Sequence, residues 1–379
     1  MAKQIYFSFE LEPGMIVYED VFDASGRLIL TKGMALDMDT ISRLEFFSIL
    51  EVPIENNPDP ELTKEAIAVT EAKKKDSEES TVVKNVIENF SEKVKSSVEY
   101  KKFNTNYDSI LALVTESLNV LSTRKVLINK EKLIQSVFNL VKITKTTIQL
   151  FDILSNMDST DDQTYHHSLN VAVISCVLGK WLNLPQRELE ELVFAALLHD
   201  VGKLTIPTAV LNKSGKLTDN EFKLVKSHVN NGYNILKAIK GLDIKIMEAC
   251  LLHHERCDGS GYPFGVKSER ITPFAKIIAI ADVYDAMTSP RTYRKGLCPF
   301  EVIRIFDTEG LSKYDPHYIM TFMENIISSY LHNNVLLSDG RIGEIIMINK
   351  VCLYKPTIKC EDGFVNLLQC PDLKITSIV

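Results

Sequence analysis

The sequence predicts a mainly α protein, with a helical metal-binding core and small β-rich units at its N-terminal and C-terminal ends. Three observations carry this. From Tyr107 to about Met157 the apolar residues recur at helical spacing with few Gly or Pro, and residues 161–332 read as five or more helices joined by short connections. Strand-like runs broken by turn residues occupy both ends of the chain. Histidines and aspartates fall at the ends or on the inner stripes of the helical segments, where a polar group needs a partner.

Residues 1–57 form the first unit. MIVYEDVF (15–22) and RLILT (27–31) are strand-like, and Asp23-Ala24-Ser25-Gly26 between them is turn chemistry. A short helix is expected over 37–48, then a strand at ILEVPI (49–54), with Asn56-Asn57-Pro58 and Pro60 closing the unit. Residues 58–106 are charged, with EAKKKDSEES at 71–80, and read as a linker or a solvated helix. The helical domain is expected over 107–332. Within it Val171, Ile174 and Leu178 follow His167 on one stripe, and 188–199 is an apolar helix ending in Leu197-Leu198-His199-Asp200. Thr218 and Glu221 have capping-box spacing, ahead of a helix whose core face is Phe222, Val225, Val229 and Leu236, with His228 at its edge. Residues 333–379 return to strands, with turns at Ser338-Asp339-Gly340 and Glu361-Asp362-Gly363.

Composition narrows the function. The 379 residues are 45% apolar and 25% charged, as in a soluble globular protein, and the net charge of −7 argues against a general nucleic-acid or anionic-membrane binder. An anionic substrate would need local positive charge from metal ions or a few Lys and Arg. The seven cysteines are scattered without a CxxC pair, which fits reduced thiols in the cytoplasm. The N-terminus lacks a signal-peptide layout, and no apolar run is long enough to span a membrane. A cytoplasmic protein is expected.

Taken singly, none of the eight histidines means much. Together, His167, His199, Asp200, His228, His253, His254 and Asp282 supply the imidazole and carboxylate donors that a two-metal site in a helical interior requires. Asp282 is the most pointed, because it lies inside the apolar run FAKIIAIADVYDAM (274–287), where an unpaired carboxylate is costly. Asp258-Gly259-Ser260-Gly261-Tyr262-Pro263 follows the histidine pair and reads as a pocket wall in which backbone approaches a ligand.

From Asp161 to Tyr314 the chain resembles the HD-GYP proteins, cyclic di-GMP phosphodiesterases within the HD phosphohydrolase superfamily. The resemblance rests on YHHSLNVA (165–172), LLHDVGK (197–203), the helix bearing His228, HHERCDGSGYPFG (253–265) and IADVYDAMTSPRTYR (280–294), in order and at fitting spacing. It implies an HD-type helical core with two divalent ions, iron or manganese. His167, His199, Asp200 and Asp282 would hold one ion, and His228, His253 and His254 the other, with Asp200 bridging. Lys203 would contact the scissile phosphate. Tyr262, Arg291 and Arg294 match positions that grip phosphate or guanine, and Asp161 and Asp285 match acidic positions that support the ligands. Three departures stand out. Val229 replaces a proline, Arg291-Thr292-Tyr293-Arg294 replaces Arg-Pro-Tyr-Arg, and Gln163 replaces a glutamate that in some members binds a third metal. Two ions are therefore expected.

The implied reaction is hydrolysis of cyclic di-GMP to pGpG or GMP through a metal-bound hydroxide, with Asp200 and Lys203 catalytic. A homodimer or signalling partner would engage the N-terminal unit. Two rivals stay open: an HD hydrolase of another nucleotide, which the GYP and RTYR segments disfavour, and a catalytically silent cyclic di-GMP receptor, which would be expected to lack some ligands.

Overall fold

The computed structural model describes residues 2–7, 11, 14–22, 28–36, 40–41, 44, 49, 51–56, 90–126, 129–157, 163–211, 213, 218–290 and 296–379. The chain divides into two compact units: Met1–Val86 with Thr208–Phe222, and Ile87–Pro207 with Lys223–Val379.

In the first unit β1 (Ala2–Phe7) pairs antiparallel with β4 (Glu51–Asn56), and β2 (Val21–Phe22) with β3 (Leu28–Leu30). Val17 bridges Ile54, so the expected strand runs do form sheet, around a small core that includes Val17, Leu30 and Val52. The N-terminal strand β1, not expected from the pattern, completes the pair with β4. Of the helix expected over 37–48, only Thr40, Ile41 and Leu44 lie within the described residues, and all are helical. Thr218 and Glu221 form the expected reciprocal capping box: Thr218 N–H donates to Glu221 Oε2 at 2.6 Å, and Glu221 N–H to Thr218 Oγ1 at 3.3 Å.

The second unit is helical. α1 (Val98–Arg124) starts well before Tyr107, capped by Ser97 Oγ, which accepts from Tyr100 N–H. The polar composition of this stretch hides a one-sided stripe, Tyr100, Phe103, Tyr107, Ile110, Val114, Leu118 and Leu121, all buried. α2 (Lys130–Ile143) and α3 (Thr147–Ser155) lead to the central helix α4 (Gln163–Trp181), which packs against α5 (Gln186–Leu198) and α9 (Pro273–Thr288). Between them come a 3-10 turn at Val201–Thr205, α6 (Asp219–Lys226), α7 (His228–Lys237) and α8 (Ile244–Leu252). The single helix expected across 219–236 is interrupted at Ser227, whose hydroxyl donates to Leu224 O. His228 therefore opens a new helix and is buried, not at an edge.

α10 (Pro299–Ile305) and α11 (Pro316–Ser329) close the helical part. Phe322 of α11 is an aromatic hub, 5.0 Å from Tyr284 of α9, 6.0 Å from Trp181 of α4 and 6.4 Å from Phe151 of α3. It locks α9 and α4, which carry two of the acids and one of the histidines singled out above, into one body. The strands β5 (Asn334–Leu337), β6 (Ile342–Met347), β7 (Thr357–Cys360), β8 (Gly363–Asn366) and β9 (Ile375–Ile378) form an antiparallel sheet in the order β8-β7-β6-β5-β9. Among the described residues no helix is long and apolar enough to cross a membrane.

Phe322→Ala should destabilise this unit by about 3–5 kcal/mol, the usual cost of emptying a fully buried phenylalanine site. Urea denaturation followed by helical circular dichroism measures it, and a loss under about 1 kcal/mol would deny Phe322 this role.

Candidate metal centre

The chemistry converges on Asp200, at the end of α5, where the helix gives way to the 3-10 turn. Its two oxygens face different partners. Oδ1 lies 3.3 Å from His228 Nε2 and 3.8 Å from His253 Nε2, whereas Oδ2 lies 3.3 Å from His199 Nε2, 3.7 Å from His167 Nε2 and 2.7 Å from Lys203 Nζ.

Glycines permit this crowding. A Cβ on Gly202 would sit 1.9 Å from His228 O and 2.5 Å from Gly232 N, and one on Gly232 would meet Cys250 Sγ at 2.5 Å. The turn carrying Asp200 can thus lie directly on the backbone of α7, which brings His228 beside the carboxylate.

Three histidines share one device. The Nδ1–H groups of His199, His228 and His253 donate to the carbonyls of Ala196, Val225 and Cys250, each three residues back, at 2.7, 2.7 and 2.9 Å. A carbonyl can only accept, so Nδ1 carries the proton and each Nε2 presents its lone pair inward. Burial pushes His228 down to about 4, with Lys203 adding to it and Asp200 opposing, and burial likewise holds His253 and His254 well below the usual histidine range. These rings are neutral, the form that binds metal.

His167 is held differently. Its Nδ1–H donates to Asp285 Oδ2 at 2.7 Å, and its Nε2 faces Asp282 Oδ1 at 2.9 Å. Burial would lower this imidazole, but the two carboxylates win and raise it to about 10. Its Nε2 points between Asp282 Oδ1 and Asp200 Oδ2. For Asp282 burial is likewise outweighed, by His167, His254 and His199, and its carboxyl is held well below its usual range. The same holds for Asp200, through Lys203, His199 and His228. His254 lies 3.8 Å through Nδ1 from Asp282 Oδ2 and stacks on Tyr262, with ring centroids 4.6 Å apart.

Two groups of donor atoms result: Asp200, His228, His253 and His254 in one, and His167, His199 and Asp282 in the other. His199 Nε2, His228 Nε2, His253 Nε2 and Asp200 Oδ1 are buried without a hydrogen-bond partner. Each such atom costs on the order of 1–3 kcal/mol unless something satisfies it. A concentration of them at one point, all lone-pair donors, fits divalent cations.

All seven residues expected as ligands are thus brought together, and Asp285 is hydrogen-bonded to His167. Lys203 sits against Asp200, and Tyr262 against His254. Asp161, Arg291 and Arg294 lie outside the described residues, as does the side chain of Gln163. Sequence reasoning missed several contributors. Glu255, buried, accepts from Phe264 N–H at 2.7 Å and Val266 N–H at 3.0 Å and so pins the loop after the histidine pair. A Cβ on Gly261 would lie 2.4 Å from His254 O, so this loop also needs glycine there. Lys226 Nζ lies over the Tyr262 ring at 5.1 Å and adds positive charge. Asn170 donates to Asp285 Oδ1 at 2.9 Å. Its place one turn after His167 was the only sequence signal for it.

Residues 148–318 match the family model described as HD domain. The chain is 38% identical over 206 residues to a cyclic di-GMP phosphodiesterase of Pseudomonas aeruginosa, which covers 54% of this chain and 50% of that protein. It is 36% identical over 180 residues to a cyclic di-GMP phosphodiesterase of Thermotoga maritima, covering 46% and 49%. A 3′3′-cGAMP-specific phosphodiesterase of Vibrio cholerae is 37% identical over 153 residues, covering 40% and 35%. The chain thus spans about half the length of the first two relatives. The likeness to HD-GYP proteins read from the motifs agrees with these matches, and an HD domain is a divalent-metal-binding domain.

Gly202→Ala should force the turn off α7 and part Asp200 from His228. The expected result is at least a ten-fold loss of manganese affinity together with a lower melting temperature, by titration and calorimetry. Unchanged metal affinity would show that the close approach does not build the site.

Proposed function

We propose that this chain, whose residues 148–318 match the family model described as HD domain, is a metal-dependent phosphodiesterase that hydrolyses cyclic di-GMP to pGpG or GMP, using two divalent ions, iron or manganese. The observation that carries this is the position of Asp200, with one oxygen toward each group of donor atoms. The names of the relatives support the substrate class.

Bound ions would supply Lewis acidity toward the phosphoryl oxygens and lower the pKa of water, so that a nucleophile exists at neutral pH. The chain's residues do the rest. Asp200, a carboxylate with one oxygen toward each group of donor atoms, would be shared by the two ions. His167, His199 and Asp282 would hold one, and His228, His253 and His254 the other. Lys203 keeps its ammonium beside Asp200, where it can offset charge developing on the phosphoryl group. Tyr262, set by its stack on His254 and by the loop that Glu255 pins, offers a ring and a hydroxyl to the substrate. Arg291 and Arg294 are assigned to phosphate or guanine, which they can fork or stack. These cations give an acidic chain the local positive charge its substrate needs.

Asp200→Ala should remove turnover and metal loading while the helical fold persists, by elemental analysis, circular dichroism and assay. Near-normal hydrolysis by that variant with added manganese or iron would overturn the two-ion reading. Lys203→Ala should lower kcat by about 100- to 1,000-fold with metal content unchanged. If it strips the metal, its role is structural. Cyclic di-GMP and 3′3′-cGAMP assayed side by side with manganese-loaded protein test the substrate. Faster turnover of 3′3′-cGAMP would move the assignment to the hybrid dinucleotide, and binding of cyclic di-GMP without turnover would move it to a receptor.

A further inference from the structure

His199, His228 and His253 take their orientation from carbonyls in their own helical turns. His167 takes its orientation from a relay of side chains that ends on another helix. Its Nδ1–H is held by Asp285 Oδ2 at 2.7 Å. Asp285 Oδ1 accepts from Asn170 Nδ2 at 2.9 Å and from Ser289 Oγ at 2.7 Å. Asn170 Oδ1 accepts from the hydroxyl of Tyr107 at 2.7 Å, and that hydroxyl also reaches His166 O at 3.2 Å. Tyr107 is wholly buried in α1, and its ring stacks on that of His166 at 5.6 Å.

We propose that Tyr107 is a positioning residue for the metal centre: through Asn170 and Asp285 it holds His167 in its ligating orientation, so that α1 governs retention of the ion on the His167 side and not of the ion on the His228 side. The proposal rests on the two-ion reading above. Its physical basis is that outer partners fix the angle of a ligating imidazole, and that a buried hydrogen-bond chain loses more than one bond when a link is cut. Without the Tyr107 hydroxyl, Asn170 Oδ1 is left buried without its donor. The amide then turns to find another, and Asp285 loses the contact that holds it against His167. The ring is freed while His228 and His253, anchored locally, keep their places.

A second contact between the same two helices provides the control. Tyr165 of α4 donates its hydroxyl to Asn119 Oδ1 of α1 at 2.8 Å, a bond separate from the Tyr107–Asn170–Asp285 chain.

The test uses the full chain loaded with manganese, from which the metal is withdrawn by excess chelator while release is followed in time, alongside thermal melts. In Tyr107→Phe, which keeps the ring, one equivalent of manganese should leave about ten-fold faster or more while the other leaves at the wild-type rate. Asn170→Ala cuts the relay one link closer and should give the same pattern, and it carries the test alone if Tyr107→Phe does not fold. Tyr165→Phe should release both ions as wild type does, even if its melting temperature falls. Unchanged release from the relay variants, equal acceleration of both equivalents, or the same selective loss in Tyr165→Phe would overturn the proposal. Wild-type protein that binds fewer than two manganese ions would instead overturn the two-ion reading, and the relay with it, before any variant is examined.

Discussion

A carboxylate that keeps its charge while almost entirely removed from water sets the terms for everything around it. Asp200 is 1% exposed. Burial alone favours its neutral form, and the charge of Lys203 is the largest of the effects that reverse it. Lys203 answers for one oxygen at 2.7 Å. The other oxygen faces imidazoles that burial holds neutral and whose lone pairs point toward it. Lone pair facing lone pair in a buried space is unfavourable on its own and favourable around a cation. The arrangement is therefore best understood as a ligand set.

The helical frame serves that one point. α5 delivers His199 and Asp200 where its last turn ends, and two glycines let the next turn lie on α7 so that His228 arrives from the other side. α8 delivers His253, and α9 delivers Asp282 and Asp285 from within an otherwise apolar helix. The Phe322 hub keeps α9 and α4 in register behind the site. The loop after the histidine pair is shaped by a buried acid, Glu255, and not by its glycines alone. In the function proposed above, that loop faces the substrate and Asp200 with Lys203 carries the chemistry.

Much of the centre could be read from the sequence because its chemistry is written in residue types. Histidine and aspartate inside apolar helical stripes are costly without a partner, so their positions carried information, Asp282 most of all. What could not be read depends on distance along the chain. Tyr107 and Asn170 lie 63 residues apart, and nothing in a polar-looking helix marks one tyrosine as bonded to a residue behind the clustered histidines and aspartates. Gly202 and Gly232 look like ordinary glycines until their backbones are seen to touch. The start of α1 was hidden because a stripe of apolar residues on one face is diluted by charge on the others. β1 went unnoticed because its pairing is with a strand about fifty residues on. Conversely, the break at Ser227 could not be foreseen from an apolar spacing that continues across it.

The bridging role proposed for Asp200, one oxygen to each of two ions, can be tested with crystals grown in manganese and an anomalous difference map. The expected result is two peaks flanking Asp200, one among His228, His253 and His254 beside Oδ1, the other among His167, His199 and Asp282 beside Oδ2. A single peak, or two peaks of which Asp200 touches only one, would contradict it.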